Sequence, residues 1–162
     1  MSKILIVVDM QNGFMNKPNY IALKDKIEKY ITNSNYGKII FTKYLNDKTK
    51  NSFYIDKLNY SQLTTTGEQE ICLPIPNNSI VFEKNGYGLK QKDLEKLKSF
   101  GESVVDICGL QADACVYAIA LQCFDNNIYP NILFNYVECN PKLKDTMKTI
   151  FTKQFGKVDE RN

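Results

Sequence analysis

Three residues of this chain are of types and placement that together make a nucleophile without histidine: Asp9, Lys84 and Cys115. Asp9 closes the apolar run Ile4-Leu5-Ile6-Val7-Val8, Lys84 closes Val81-Phe82-Glu83, and Cys115 follows a glycine-led turn at the head of an apolar, helically spaced stretch. A thiol in the first turn of a helix feels the partial positive charge of unpaired amides, which favours thiolate, and a nearby ammonium lowers its pKa further. A carboxylate in reach accepts the thiol proton. The chemistry this makes possible is attack of sulfur on a carbonyl or similar carbon.

Other chemistries are excluded by composition. The 162 residues include no histidine, which removes Ser-His-Asp and Cys-His catalysis and histidine-ligated zinc. Arg161 is the only arginine, so bidentate guanidinium clamps on anionic substrates are nearly excluded. The 21 basic and 18 acidic residues, net +3, are spread along the chain and form no basic stripe, so nucleic acid is not an expected partner. Five cysteines (Cys72, Cys108, Cys115, Cys123, Cys139) contain no CxxC pair and read as reduced thiols. The five apolar residues before Asp9 are too short for a signal peptide, and no run reaches membrane-spanning length. The expectation is a cytoplasmic protein of one domain, residues 1–162, without membrane partners.

The elements that must position the three residues follow from apolar periodicity. Strands are expected at Ile4 to Val8, Lys38 to Thr42, Ser79 to Glu83, Ser103 to Cys108 and Ile128 to Phe134, with Pro130 near the start of the last. Between them fall amphipathic stretches: one after Pro18 (Leu23, Ile27, Tyr30, Ile31), one through Leu94, Leu97 and Phe100, and one from Asp113 to Asn126 with Asp113 as N-cap. A last helix carries Leu143, Met147, Ile150 and Phe151, opened by Asn140-Pro141 and followed by Gly156, with Val158 as a short final strand. Lys43 to Pro76 is polar, rich in tyrosine and weakly periodic, and reads as a loop, lid or assembly arm. Alternating strands and helices predict a three-layer α/β/α Rossmann-like fold with a mostly parallel sheet of five or six strands. Function in such a sheet collects at the carboxyl ends of strands, where all three residues fall.

Ile6-Val-Val-Asp9-Met-Gln-Asn-Gly-Phe14, Val81-Phe-Glu-Lys84 and Gly109-Leu-Gln-Ala-Asp-Ala-Cys115-Val resemble the three signatures of the isochorismatase-like cysteine hydrolases, in the same order and at the same strand ends. The resemblance runs from Lys3 to about Val137. It implies a catalytic role for Asp9, Lys84 and Cys115, a cis peptide at Leu110-Gln111, and an oxyanion hole from the amides of Gln111 and Cys115. It also implies a strand-end glutamine at Gln11, a pocket aromatic at Phe14, and assembly as a homo-oligomer. Two departures stand out: Gly13 replaces a frequent acid, and Thr42-Lys43-Tyr44-Leu45-Asn46 replaces the Asp-x-His metal motif of nicotinamidases. No metal and no cofactor are therefore expected. The implied activity is metal-independent hydrolysis of a C–N bond in a small amide, ureide or carbamoyl compound.

Plainer readings stand beside these. Cys115 alone on an apolar helix face would be a packed thiol, as Cys108 inside its strand is. Lys84 alone would be one solvated lysine among many, and Asp9 a turn cap. Tyr44, Tyr54, Tyr60 and Tyr87 either line a pocket for a planar substrate, with Tyr44 and Tyr87 beside Phe14, or pack their loop down. A catalytically silent binding module and a redox-reactive thiol protein are the alternative functions; the first requires a blocked pocket, the second a resolving cysteine.

Overall fold

The computed structural model describes residues 3–162. Strands β1 (Ile4–Val8), β2 (Lys38–Tyr44), β3 (Ser79–Lys84), β4 (Val104–Leu110) and β5 (Tyr129–Glu138) pair in parallel in the order β3-β2-β1-β4-β5. The helices are α1 (Pro18–Asn33), α2 (Phe53–Asp56), α3 (Thr66–Gln69), α4 (Gln91–Ser99), α5 (Cys115–Asp125) and α6 (Lys144–Phe155). This is the three-layer Rossmann-like arrangement that the alternation predicts, with five strands in the sheet.

β1 is apolar throughout because both its faces are covered. Ile4, Ile6 and Val8 join one core with Leu97 of α4, Ile119 of α5 and Phe151 of α6, while Leu5 and Val7 join a second core with Tyr20, Leu23 and Ile27 of α1. Strand order reverses between β1 and β4, so the crevice beyond their carboxyl ends is where a doubly wound sheet binds ligands. Gly109 allows the two strands to meet there. Its φ is +114°, and a Cβ at this position would lie 2.2 Å from the Val8 carbonyl oxygen.

Several expected boundaries change. β2, β3 and β4 run on to Tyr44, Lys84 and Leu110, and β5 continues past Phe134 to Glu138, with a register shift opposite Ile107 and Gly109. Pro130 is the second residue of β5, an edge strand, where its missing N–H is tolerated. Val158 starts no strand. Only an isolated bridge, Leu133 to Asp159, extends the sheet, because the polar Asp159, Glu160 and Arg161 carry no apolar run to continue it. The third helix begins at Cys115 with Ala114 in the N-cap position, so Asp113 is not the cap. Asn140 does accept from the Lys142 amide, but the turn it opens, Pro141–Leu143, is a 3-10 turn ahead of α6.

The stretch from Lys43 to Pro76 holds α2 and α3, and it is tied to the end of β1. The Asn12 amide donates to the Glu70 carbonyl (2.9 Å), the Cys72 amide to the Met10 carbonyl (2.9 Å), and Gln11 bridges Ile71. Thr65 and Glu68 form a capping box that starts α3. Gly13 lets the segment pack closely here: a Cβ would lie 2.6 Å from Leu63 Cδ2 and 3.2 Å from Glu68 Cβ, so the Leu63 side chain would have to shift.

Candidate active site

β1 ends at a residue with φ of +48°, in the left-handed region that aspartate tolerates better than most. The turn sends the Asp9 side chain across toward β2, whose register with β1 pairs Val7 with Phe41. Thr42, one residue on, accepts from the Asp9 amide (3.1 Å) and donates its hydroxyl to Asp9 Oδ1 (2.6 Å). One carboxylate oxygen is thereby fixed and the other left to face β3.

Lys84, the last residue of β3, pairs in register with Tyr44 and is 1% exposed, as is Asp9. Its ammonium has three donors and all three are used: Asp9 Oδ2 at 2.8 Å, the Gly86 carbonyl at 2.9 Å and Cys115 Sγ at 3.2 Å. Burial works against the ammonium, but the charge of Asp9 and then of Cys115 outweighs it and holds the amine above its ordinary range. The Tyr44 ring packs 5.3 Å from the same nitrogen.

Cys115 opens α5 and is partly buried at the wall of a cavity of about 600 Å³. Its thiol does not have the lowered pKa expected from a helix N-terminus and a lysine. Burial, then the Asp9 carboxylate, push it above the ordinary thiol range, and Lys84 only partly opposes them. The raised thiol of Cys115 thus sits between the Asp9 side chain and the Lys84 ammonium.

The loop ahead of Cys115 contains a cis peptide between Leu110 and Gln111. The amides of Ala114 and Val116 both donate to the Gln111 carbonyl (3.0 and 3.1 Å), and Ala112 donates to Glu138 (2.9 Å). Among the described residues no backbone carbonyl takes the amides of Gln111 or Cys115.

Phe14, Tyr44 and Tyr87 line the cavity, together with Tyr54, Tyr60, Gln111, Asp9 and Cys115. Gln11 does not. Fully buried, it exchanges bonds with Tyr44, donating to its carbonyl and accepting from its amide (both 2.9 Å), and donates to the Gln69 carbonyl at 2.9 Å. It clamps β1, β2 and the following segment together. Leu110 is buried and, like Cys72, Cys108, Cys123 and Cys139, absent from the cavity lining. Sequence reasoning missed Thr42, the Gly86 carbonyl, Leu58, Tyr117 and Leu121, and placed Asp113 as a cap where it lines the cavity. Thr42 reads as ordinary strand filler until the β1–β2 register is known.

Arg161 lies away from this cavity, paired with Asp159 and, at 3.8 Å, with Asp106. Among the described residues no three His, Cys, Asp or Glu side chains converge as metal ligands. The last residues of β2, Thr42, Lys43 and Tyr44, offer a threonine, a lysine and a tyrosine, a donor set that does not fit a divalent cation. No helix among the described residues is long and apolar enough to cross a membrane.

Comparison with known proteins agrees with this architecture. The family model of the isochorismatase domain matches residues 3–133. Similar solved structures include an N-carbamoylsarcosine amidase from Thermoplasma acidophilum, with TM-score 0.82 and 20% identity over 99% of this chain and 96% of that one. A nicotinamidase from Bacillus subtilis gives TM-score 0.79 and 22% identity over 99% and 100%. An isochorismatase-like hydrolase from Alkaliphilus metalliredigens gives 0.83 and 16% over 98% and 94%. A search of curated protein sequences returns no match.

Proposed function

Because the chain belongs to the isochorismatase family, we propose that it is a thiol hydrolase that cleaves the C–N bond of a small amide, ureide or carbamoyl compound through Asp9, Lys84 and Cys115, without a metal. The observation that carries this reading is the buried Lys84 ammonium, which bonds at once to Asp9 and Cys115, both in the wall of an open cavity. The cavity's volume of about 600 Å³ suits a small molecule. A silent module would require an obstructed cavity, and this one reaches the thiol.

The substrate carbonyl sits beside Cys115 with its oxygen toward the amides of Gln111 and Cys115. As Asp9 takes the thiol proton, sulfur bonds to the carbonyl carbon and the carbonyl electron pair moves to oxygen, where the two N–H groups stabilise it. Collapse of this adduct breaks the C–N bond, and Asp9 returns the proton to the departing nitrogen. Water then attacks the thioester while Asp9 accepts one of its protons; the C–S bond breaks, the acid leaves, and the proton returns to sulfur. Lys84 keeps its charge throughout, offsetting the negative charge that passes between Asp9 and Cys115. The neutral resting thiol suits this sequence, because its proton is the one later needed by the leaving group.

The test is hydrolysis of a panel of aromatic and aliphatic amides by the protein and by Cys115→Ala. Loss of all turnover in a variant of unchanged circular dichroism is expected; turnover at the parent rate would overturn the proposal.

A further inference from the structure

The polar groups of the cavity are unevenly provided. Lys84 is the one cation that reaches the site among the described residues, and its three N–H bonds are all committed. No lysine or arginine lines the cavity itself, although the chain carries 21 of them. The carboxylates differ in the same sense. Asp9 is held by Lys84 and Thr42, whereas Asp113, exposed on the cavity wall, has no ion pair and no hydrogen bond among the described residues. It is not spent on capping α5 either, since Ala114 occupies that position. The same cavity carries aromatic surface: Tyr54 and Tyr87 meet edge to face with centroids 5.0 Å apart, and Tyr87 is 44% exposed. Ring faces are negative and attract cations, most strongly where water is displaced.

We propose that the cavity selects an amide whose end remote from the scissile bond carries a positive charge, with Asp113 as its counter-ion and Tyr54, Tyr87 and Tyr117 as its aromatic surround. This rests on the hydrolase reading and adds the class of substrate. A carboxylate at the same place would meet Asp113 and find no free cation. Asp113 is thus a specificity-determining residue.

Three benzamides of similar shape test this: 3-(aminomethyl)benzamide, 3-methylbenzamide and 3-carbamoylbenzoate, which are cationic, neutral and anionic at pH 7. Hydrolysis is read as kcat/KM, and binding as protection of Cys115 from iodoacetamide. The expected order is cation, neutral, anion, with the cation favoured over the neutral probe about fivefold or more at low salt, as for two charges about 4 Å apart near water. Asp113→Asn should bring that ratio close to one, and high salt should narrow it. Equal binding of all three probes, no binding of any, or a ratio untouched in Asp113→Asn would overturn the inference. Hydrolysis without charge preference leaves the hydrolase reading standing, while charge-ordered protection without hydrolysis by any probe removes that reading and keeps the selectivity.

Discussion

Lys84 gives its three N–H bonds to a carboxylate, a carbonyl and a thiol, and the pKa values of Lys84 and Cys115 shift through their contacts with each other and with Asp9. The consequences for Cys115 have opposite signs. Asp9 raises the thiol pKa, so Asp9→Asn should lower it and bring alkylation forward in pH; Lys84 lowers it, so Lys84→Met should raise it further. Iodoacetamide labelling against pH, resolved by peptide mass, distinguishes the two, and shifts of the same sign would contradict the arrangement. Thr42 acts one step away by holding the Asp9 carboxylate. Thr42→Val should lower kcat about tenfold, the size of one buried hydrogen bond. The pH profile of kcat should move with it, which a merely structural hydroxyl would not produce.

The site depends on where elements end as much as on side chains. β1 and β4 meet closely enough to bring Asp9 and the loop before Cys115 together because Gly109 has no Cβ. Gly109→Ala should destabilise the protein by about 3–5 kcal/mol, measured by urea unfolding, with activity lost in parallel; parent stability would show that the approach is not as close as described. Much of this level is legible in the sequence. The continuous apolar run of β1 and the helical spacing after Cys115 predict the elements, and the strand ends at Asp9 and Lys84 predict where chemistry collects. What is not legible depends on contacts remote in the chain. The extension of β5 to Glu138 needs β4 beside it, and Thr42 gains a role only through the β1–β2 register. The segment before β3 hides its order because hydrogen bonds to Met10, Gln11 and Asn12 shape it more than any periodicity of its own. The thiol pKa failed for a similar reason: helix and lysine are visible in sequence, whereas burial and the distance to Asp9 are not.

Across the whole molecule, two cores on either side of one parallel sheet enclose thiols that stay neutral when folded. Burial pushes Cys123 up to about 12 and Cys108 higher still. In the unfolded chain each ionises near 8.5, so above that pH the unfolded state loses protons that the folded state keeps. The thiol contribution to stability should therefore be flat below about pH 8 and fall above it by about 1.4 kcal/mol per unit for each fully buried thiol. Thermal melts at pH 7 and 9.5 measure this, and a higher Tm at 9.5 would contradict the burial. The same fold leaves one thiol at the wall of an open cavity, and the central claim concerns what happens there. The most direct measurement is an acid quench during turnover of an amide, followed by intact and peptide mass spectrometry. A single acyl adduct on Cys115, absent in Cys115→Ala, is the predicted result; steady turnover with an acyl group on another residue, or undiminished turnover in Cys115→Ala, would contradict it.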